Sequence, residues 1–365
     1  MATTFKPRLR KILQWSLRIL ALLLLLAVLV VAGSRAAVWL DTRITGENGV
    51  DEGCFVLLNG QEQFLRIRGE DRDNPVILWL HGGPADSDSY VNHVFQKYLV
   101  EDYTLVNWDQ RGCGRTYYRN SNLDPDNETA TFQQAQLDLD ALVDYLRQRF
   151  SQDKVIIMGH SYGTMLGSCY VLSHPEKVSA YIGVGQVVSL ESEHYAYLDA
   201  LEKAKALGHD TGEMEQAYAD FAENGDLMAM MALRGYTAQY HSDEISYDSI
   251  WMGLSSPYMG VSDLCLFALP IVDLERYFAL NDRLFDYTAT TDVTSYGLAY
   301  AVPVGFLSGS CDWTTPVKYT QDYYEQITAP DKEICILQGC GHSPQLAAPE
   351  DFSAAVNEML GRFLP

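Results

Sequence analysis

The sequence is poor in positive charge. It has 26 Lys and Arg against 48 Asp and Glu, which gives a net charge of −22 at neutral pH. Residues 1–40 hold six bases and no acid, so the remainder, with 20 bases and 48 acids, carries −28. Such a body repels polyanions, and we expect no nucleic-acid partner.

Paired cysteine motifs are also lacking. The seven cysteines are scattered, odd in number and without Cys-x-x-Cys spacing, which argues against a zinc site or a disulfide framework. This usage is typical of a reducing compartment or an anaerobic source. The chain has no internal repeat and no low-complexity segment, and 365 residues suffice for one large domain or two modest ones.

Charge is absent from residues 19–34, which are mainly Leu, Val and Ala. Trp15 and Trp39 bracket this run, and their separation of 24 residues corresponds to about 36 Å of helix, enough to place both indoles at the interfaces of a bilayer. Five bases precede the run and acids follow it. We predict a transmembrane signal anchor at 15–40, a basic cytoplasmic N-terminus at 1–14 and an extracytoplasmic body.

A cleaved signal peptide is the alternative for this segment. Small residues at 32–36 lie near the end of the apolar run and could be a cleavage site, in which case the protein would be secreted. The run is long for a signal peptide and lacks a clear Ala-x-Ala, which favours the anchor. The scattered cysteines conflict with either extracytoplasmic location. Residues 41–52 are polar and contain glycine, as expected of a linker.

Beyond the linker, apolar strand-like runs alternate with helical patterns. A hairpin is predicted at 54–58 and 63–67, turning at Asn59 and Gly60. We then expect strands at 75–80, 103–107, 155–158, 178–184, 302–307 and 333–337, and helices at 91–100, 131–150, 162–173, 317–327 and 351–363. This order predicts an α/β fold with a mostly parallel sheet covered on both faces, formed by 53–186 and 301–365. Residues 187–300 read as a helical cap inserted into it.

A nucleophile elbow is predicted at residues 159–163, which read Gly-His-Ser-Tyr-Gly after a β-branched strand and before an apolar helix. The turn requires small residues on both sides of Ser161, because the helix passes close to the strand. The pattern alone is common. Its context makes Ser161 a candidate nucleophile.

A serine nucleophile needs a base and a group that orients the base. Asp312 directly follows one late predicted strand, and His342 follows the last one. The chain order Ser161, Asp312, His342 is that of α/β-hydrolases, and all three would lie at one edge of the sheet. We expect His160 to support the elbow loop instead.

An oxyanion formed at Ser161 would need two backbone donors. One is predicted to be the amide of Tyr162, at the start of the helix after the nucleophile. The other is predicted in the His-Gly-Gly-Pro loop at 81–84, where Gly83 is preferred and Gly82 is the alternative.

Taken together, these motifs resemble the proline iminopeptidase group of α/β-hydrolase serine peptidases. The most specific of them are His-Gly-Gly-Pro at 81–84 and Asp-Gln-Arg-Gly at 109–112. The likeness covers roughly 53–186 and 301–363 and is thin through the cap. The chain departs from the group at Ala85, where Gly is usual, and at Tyr162, where Trp is usual, so a strict preference for proline is not implied.

The resemblance implies a serine aminopeptidase that releases N-terminal residues, proline or other small or apolar ones, from short peptides through an acyl-enzyme. Acidic cap residues of the group hold the free α-amine of the substrate, and Glu191 and Glu193 are candidates by position. Acids are also usual in the first turn of a helix, where they favour its dipole. Asp109 and Arg111 are interpreted as structural. No metal and no organic cofactor is expected.

Two other function classes stay open. A carboxylesterase or lipase would use the same triad and is favoured by an apolar cap pocket without a carboxylate. A non-catalytic binding protein at the membrane would keep the fold without the reaction. Epoxide hydrolase or dehalogenase chemistry is disfavoured, because those relatives have a carboxylate where Ser161 stands. The sequence leaves the oligomeric state open.

Overall fold

The computed structural model of the chain describes residues 5–83, 87–225 and 227–364. One long helix, α1 (Phe5–Thr42), precedes an α/β body in which an eight-stranded sheet is covered on both faces. The connection from α1 to the first strand is residues 43–49, shorter than the predicted linker of 41–52 because α1 ends later and the strand begins earlier than expected.

The strands of the sheet are β1 (Val50–Leu58), β2 (Gln61–Gly69), β3 (Val76–Leu80), β4 (Thr104–Asp109), β5 (Val155–His160), β6 (Val178–Val184), β7 (Val304–Gly309) and β8 (Lys332–Leu337). Their order in the sheet is β1-β2-β4-β3-β5-β6-β7-β8. The pairs β1/β2 and β2/β4 are antiparallel and every other pair is parallel. The mostly parallel sheet predicted from the sequence is confirmed.

Helices of the body are α2 (His93–Gln96), α3 (Gly114–Asn120), α4 (Phe132–Arg149), α5 (Tyr162–Ser173), α12 (Val317–Gln326), α13 (Pro344–Ala347) and α14 (Pro349–Phe363). In the described part of the predicted cap, six further α-helices lie between β6 and β7: α6 (Ser192–Ala206), α7 (Gly212–Asn224), α8 (Leu227–Thr237), α9 (Ser249–Ser255), α10 (Val261–Val272) and α11 (Leu274–Thr290).

Side chains of the central strands alternate between two cores. Along β5, Ile157 joins the core under α4 and α5, whereas Ile156 and Met158 join the core under α14. Burial on both faces explains why these strands read as continuous apolar runs. The consequence is a rigid sheet whose carboxyl-terminal edge carries the loops of the candidate site.

The predicted hairpin turn is present, with Asn59 and Gly60 at φ +44° and +85°. The predicted helix at 91–100 is wrong over most of its length, since only His93–Gln96 is α-helical and turns flank it. Side chains explain the difference. Asn92 and Gln96 donate to the buried side chain of Asn107, at 2.9 and 2.8 Å, and thereby fix a tighter, irregular path.

The last turns of α1 pack on the body. Arg35 Nε donates to the carbonyl oxygen of Leu254 in α9 at 2.9 Å, and Lys97 pairs with Asp41 at 2.8 Å. Before this region the helix stands free of the body, and its residues are exposed from 10 to 30. Among the described residues, α1 is the one helix that is both long enough and apolar enough to cross a membrane.

Candidate active site

Ser161 stands at a sharp turn between β5 and α5. Its backbone has φ +52° and ψ −124°, a strained conformation for an L residue. The Ser161 amide donates to the carbonyl oxygen of Val184 in β6 at 2.9 Å. This bond fixes the turn at the carboxyl end of the sheet.

The glycines on either side of Ser161 let α5 pass close to β3 and β5. A Cβ atom on Gly163 would lie 2.1 Å from the carbonyl oxygen of Leu80, and one on Gly159 would lie 2.5 Å from that of Gly163. Both distances are far inside van der Waals contact. The close approach expected from the sequence is present, and it requires glycine at both positions.

Asp312, after β7, and His342, after β8, meet at the same edge of the sheet. His342 Nδ1 lies 2.9 Å from Asp312 Oδ2. Asp312 Oδ1 accepts the amides of Thr314 and Thr315, each at 2.9 Å, and Oδ2 accepts the Thr315 hydroxyl at 2.7 Å. Four donors therefore fix the orientation of this buried carboxylate.

The surroundings of Asp312 favour its charged form. Burial raises the pKa of the carboxyl, but His342 and the donors from Thr315 outweigh burial, so the pKa of Asp312 lies below its usual value. A carboxylate facing Nδ1 keeps the proton of the neutral imidazole on Nδ1. The basic nitrogen of His342 is then Nε2.

His342 Nε2 is buried and has no hydrogen-bond partner among the described residues. Ser161 and His342 line the same cavity, of about 700 Å³, together with Gly82 and Gly83. Buried polar atoms without partners are rare in folded proteins and call for an explanation, of which a catalytic role is one. A basic nitrogen with a free lone pair that shares a cavity with a serine hydroxyl can accept the proton of that hydroxyl once the two atoms come within hydrogen-bond reach.

The loop after β3 lies against the turn of Ser161. A Cβ atom on Gly82 would lie 3.1 Å from Cβ of Ser161, and Gly83 has φ +115°, which favours glycine. Gly83 and Tyr162 both line a second cavity, of about 430 Å³, that also reaches Ser161. The two residues predicted to supply oxyanion donors are thus brought to one cavity with the serine.

His81 holds this loop as a neutral side chain. Its Nε2 accepts the amide of Gln110 at 3.4 Å, so Nδ1 carries the proton and donates to the carbonyl oxygen of Gly82 at 2.8 Å. Burial lowers the pKa of His81 to about 4. The next residues of the predicted motif, Pro84 and Ala85, lie outside the described residues.

His160 ties the elbow to the loop of His342. Its Nε2 donates to the carbonyl oxygen of His342 at 2.9 Å, and its ring stacks on Trp79 with centroids 6.2 Å apart. Burial, with a smaller effect from His342, lowers the pKa of His160 to about 3. The supporting role predicted for His160 is confirmed.

Asp109 and Arg111 brace the loops around the site, as predicted. Asp109 accepts the hydroxyl of Ser87 at 2.5 Å and the amide of Arg115 at 2.9 Å. Arg111 forms a two-pronged pair with Asp138, at 2.7 and 3.0 Å. Neither side chain lines either cavity.

A segment of the cap packs on the loops of Asp312 and His342. The amide of Ile245 donates to the carbonyl oxygen of Gly339 at 2.8 Å, and the ring of His241 stacks on Trp313 with centroids 4.3 Å apart. The cap thereby contacts the loops that carry Asp312 and His342.

The two cavities meet at Ser161. The cavity of about 700 Å³, here called the wide cavity, lies under α10 and α11. The one of about 430 Å³, the apolar cavity, lies under α8 and α11, and most of the residues lining it are aliphatic or aromatic. Residues lining both are Gly83, Ser161, Arg234, Tyr277 and Thr314. Within the described residues, no group of three or more His, Cys, Asp or Glu is placed to hold a metal.

A family profile described as the alpha/beta hydrolase fold matches residues 75–260. The chain belongs to the α/β-hydrolase family. It is similar to a probable aminopeptidase, YbaC, of Bacillus subtilis, with 27% identity over 81% of this chain and 92% of the relative. It is also similar to the proline iminopeptidase of Lactobacillus helveticus, with 32% identity over 82% of this chain and 95% of the relative. The hydrolase is thus of the proline iminopeptidase type.

Solved structures agree on the fold of the hydrolase. Proline iminopeptidase of Mycobacterium smegmatis matches with a TM-score of 0.59 and 19% identity, covering 86% of this chain and 98% of that one. A membrane phospholipase A described as a bacterial virulence factor matches with a TM-score of 0.61 and 15% identity, covering 98% of this chain and 99% of that one. At these identities the likeness concerns the fold alone.

The acids predicted to hold a substrate amine lie in different surroundings in the hydrolase. Glu193 is buried on the wall of the apolar cavity, where its carboxylate faces Arg234, with Arg234 Nε 3.1 Å from both oxygens. Glu191 is exposed at the start of α6 and lines neither cavity. Only Glu193 is therefore within the space that Ser161 shares.

Two side chains at the site were not predicted from the sequence. Thr315 lies three residues after Asp312 and donates to it, a local signal that Asp-Trp-Thr-Thr could have provided. Arg234 has no such signal, since its partner Glu193 is 41 residues away and on another helix. Arg234 lines both cavities because of the way the cap helices pack, and the sequence around it does not indicate this position.

Proposed function

We propose that the chain is a membrane-anchored serine hydrolase that releases N-terminal residues from short peptides. The observation that carries the proposal is the pair formed by His342 and Asp312 at 2.9 Å, whose free Nε2 shares a cavity with Ser161. The names of the relatives support the peptidase class.

In the proposed mechanism, Ser161 Oγ attacks the scissile carbonyl carbon while His342 Nε2 accepts its proton. Asp312 holds the imidazole and stabilises its charged form. The amides of Gly83 and Tyr162 donate to the oxyanion. His342 then gives the proton to the departing amine, and a water molecule, activated by the same nitrogen, hydrolyses the acyl-enzyme and frees Ser161.

Recognition of a free α-amine is assigned in this proposal to Glu193, with Glu191 as the more distant candidate. A carboxylate has about four lone-pair positions, and a two-pronged guanidinium occupies only two of them. An ammonium group can therefore bind Glu193 alongside Arg234. The positive charge of Arg234 weakens that attraction relative to a lone carboxylate.

Comparison of N-acetylated with free-amine substrates tests this assignment. We expect the free-amine peptide to be preferred by at least about tenfold, since the blocked substrate cannot pair with a carboxylate. The preference should disappear in Glu193→Gln and persist in Glu191→Gln. Equal turnover of both substrates by the wild type would remove the role of both acids.

A carboxylesterase or lipase is the second candidate function. The apolar cavity beside Ser161 can accommodate an acyl chain, and Arg234 already neutralises the carboxylate within it. Both observations fit an uncharged ester better than a charged peptide terminus. The same triad would perform the reaction.

One experiment separates these functions. Prolyl and alanyl aminocoumarin amides and a short-chain nitrophenyl ester are offered to the wild type, to Ser161→Ala and to Ser173→Ala, a control at the other end of α5. We expect amide and ester turnover by the wild type and the control, and none by Ser161→Ala. Ester turnover without amide turnover would assign the esterase instead.

Labelling with a fluorophosphonate decides between an enzyme and a non-catalytic binding protein. An activated serine reacts with this reagent, whereas an ordinary serine hydroxyl does not. We expect labelling of the wild type and Ser173→Ala and no labelling of Ser161→Ala. A folded wild type that resists the reagent would indicate a binding protein.

The anchor is part of the proposal and is tested on the mature protein. We propose that α1 stays attached and spans the membrane, with the N-terminus cytoplasmic and the body outside. Sequencing of the mature N-terminus should then give the initial residues of the chain. A start near residue 35 would show that the segment is a signal peptide and that the body is secreted.

A further inference from the structure

Helix α10 presents an apolar face to solvent. Five of its side chains are exposed along one side, at spacings of three, four and seven residues that place them together. They form what we call the α10 face: Val261, Leu264, Cys265, Ile271 and Val272. Val261, Ile271 and Val272 are each more than three-quarters exposed. Contiguous apolar surface of this kind marks an interaction site more often than an ordinary surface.

The opposite side of α10 explains why the helix stays in place with this face outward. Asp263, the one charged residue of the helix, is buried and pairs with Arg115 at 2.7 Å. Leu266, Leu269 and Pro270 line the wide cavity, and Ile271, at the edge of the α10 face, reaches it as well. The helix therefore roofs the cavity with one side and offers the rest of the α10 face to solvent on the other.

The start of α10 lies beside the end of α1. Tyr258, three residues before Val261, has its hydroxyl 3.4 Å from the Thr42 hydroxyl at the end of α1. The carbonyl oxygen of Tyr258 accepts a hydrogen bond from Arg115, which also holds Asp263. Three residues span at most about 11 Å, so α10 begins close to the point where α1 enters the body.

The cap also contacts α1 on the membrane side of Trp39. Arg35, which donates to Leu254 of α9, precedes Trp39 by four residues, or about 6 Å of helix. If Trp39 marks the outer interface, α9 reaches the depth of the lipid headgroups. Trp251 of α9 is itself 41% exposed, as expected of an interfacial aromatic residue.

We propose that the α10 face inserts into the outer leaflet of the bilayer that α1 spans, so that the roof of the wide cavity rests on lipid. The occupant is the uncharged part of the bilayer, because the face has no basic residue and exposed Asp273 and Glu275 follow it. Apolar contact drives the insertion, which does not require anionic lipid. The inference rests on the anchoring role of α1 and goes beyond the proposed reaction.

The test uses the full chain in phosphatidylcholine nanodiscs holding one copy each. An environment-sensitive thiol probe is placed at Val272→Cys in a Cys265→Ser background, with unmodified Cys265→Ser as the blank. Leu137→Cys on α4, also exposed, is the matched control on the body, and Leu29→Cys reports on α1. Nitroxide-labelled lipid then measures contact of each probe with the bilayer.

We expect lipid quenching at 272 to exceed that at 137 by at least twofold and to be unchanged by 0.5 M salt. Quenching at 29 but not at 272 overturns the insertion of the α10 face and leaves the anchor intact. No quenching at either position overturns both. Protection of the 272 probe from aqueous iodide without lipid quenching means that protein covers the face, which also overturns the proposal.

Discussion

At the scale of single residues, the candidate site depends on which nitrogen of His342 carries the proton. Asp312 accepts from the backbone with one oxygen and faces Nδ1 with the other, while Nε2 stays free. Thr315 donates to the oxygen that faces Nδ1. Replacing the Asp312 carboxylate and removing the Thr315 hydroxyl that donates to it should therefore lower the reactivity of Ser161 by different factors.

Asp312→Asn should reduce the rate of fluorophosphonate labelling by about 10⁴-fold, because an amide donating to Nδ1 moves the ring proton to Nε2 and abolishes the base. Thr315→Val, which only removes one hydrogen bond, should reduce it about tenfold. Labelling rates measured on folded variants check both numbers. A loss of less than tenfold in Asp312→Asn would contradict the orientation of the ring described above.

At the scale of elements, the turn from β5 to α5 was predictable because its constraints are local. The bounds of α5 and β6 agree with the sequence analysis, and Gly159 and Gly163 have contacts that only glycine permits. The helix expected at 91–100 was not predictable, because Asn92 and Gln96 bond to Asn107, a residue on another element. The spacing of apolar residues within 91–100 carries no information on a hydrogen-bond partner that lies in another element.

Gly163→Ala tests the close approach of α5. The added Cβ would meet the backbone of Leu80, and we expect a loss of roughly 3 kcal/mol in the free energy of unfolding. Gly361→Ala in α14 is the control, since a Cβ there meets nothing within 4 Å; it should gain about 0.5–1 kcal/mol. Urea unfolding in detergent, followed by tryptophan fluorescence, measures both. Equal stability of the two variants would rule out the steric account.

The cap shows the limit of sequence-based prediction at this scale. That residues 187–300 form helices was evident from the sequence, and the structure has six α-helices between β6 and β7 in the described part of this stretch. The pairing of Arg234 with Glu193 and the burial of Asp263 against Arg115 were not evident, since each joins helices distant in sequence. The positions of the proposed triad at strand ends follow from topology, whereas the chemistry of the cavities follows from tertiary packing.

At the scale of the whole molecule, three buried neutral histidines make stability sensitive to acid. Burial lowers the pKa of His81 and His93 to about 4 and that of His160 to about 3. An unfolded histidine has a pKa near 6.5, so the unfolded chain binds more protons below that pH. Each of these residues therefore destabilises the fold as the pH falls from about 6.5 towards its folded pKa.

His93→Gln isolates this effect, because His93 is outside the proposed catalytic groups. At pH 5 the charge penalty on one such histidine is on the order of 2 kcal/mol. Burial raises the pKa of Asp88 to about 7, which acts in the opposite direction over the same range. The comparison is therefore made between the free energies of unfolding of His93→Gln and wild type, in both of which Asp88 is present. As the pH falls from 7 to 5, the variant should become more stable relative to wild type. Melting curves that give the same stability difference between His93→Gln and wild type at pH 7 and at pH 5 would refute this prediction.

The contact of Ile245 with Gly339 limits how the enzyme can open. Because this cap segment is hydrogen-bonded to the loop that leads from β8 into His342, swinging the whole cap away would pull on His342, the proposed base. Helices α10 and α11, which supply most of the cap residues lining the wide cavity, lie beyond that attachment in the chain, so their movement would admit substrate without displacing His342. The cap segment around Ile245 then stays in place, and the proposed catalytic geometry is preserved each time α10 and α11 move.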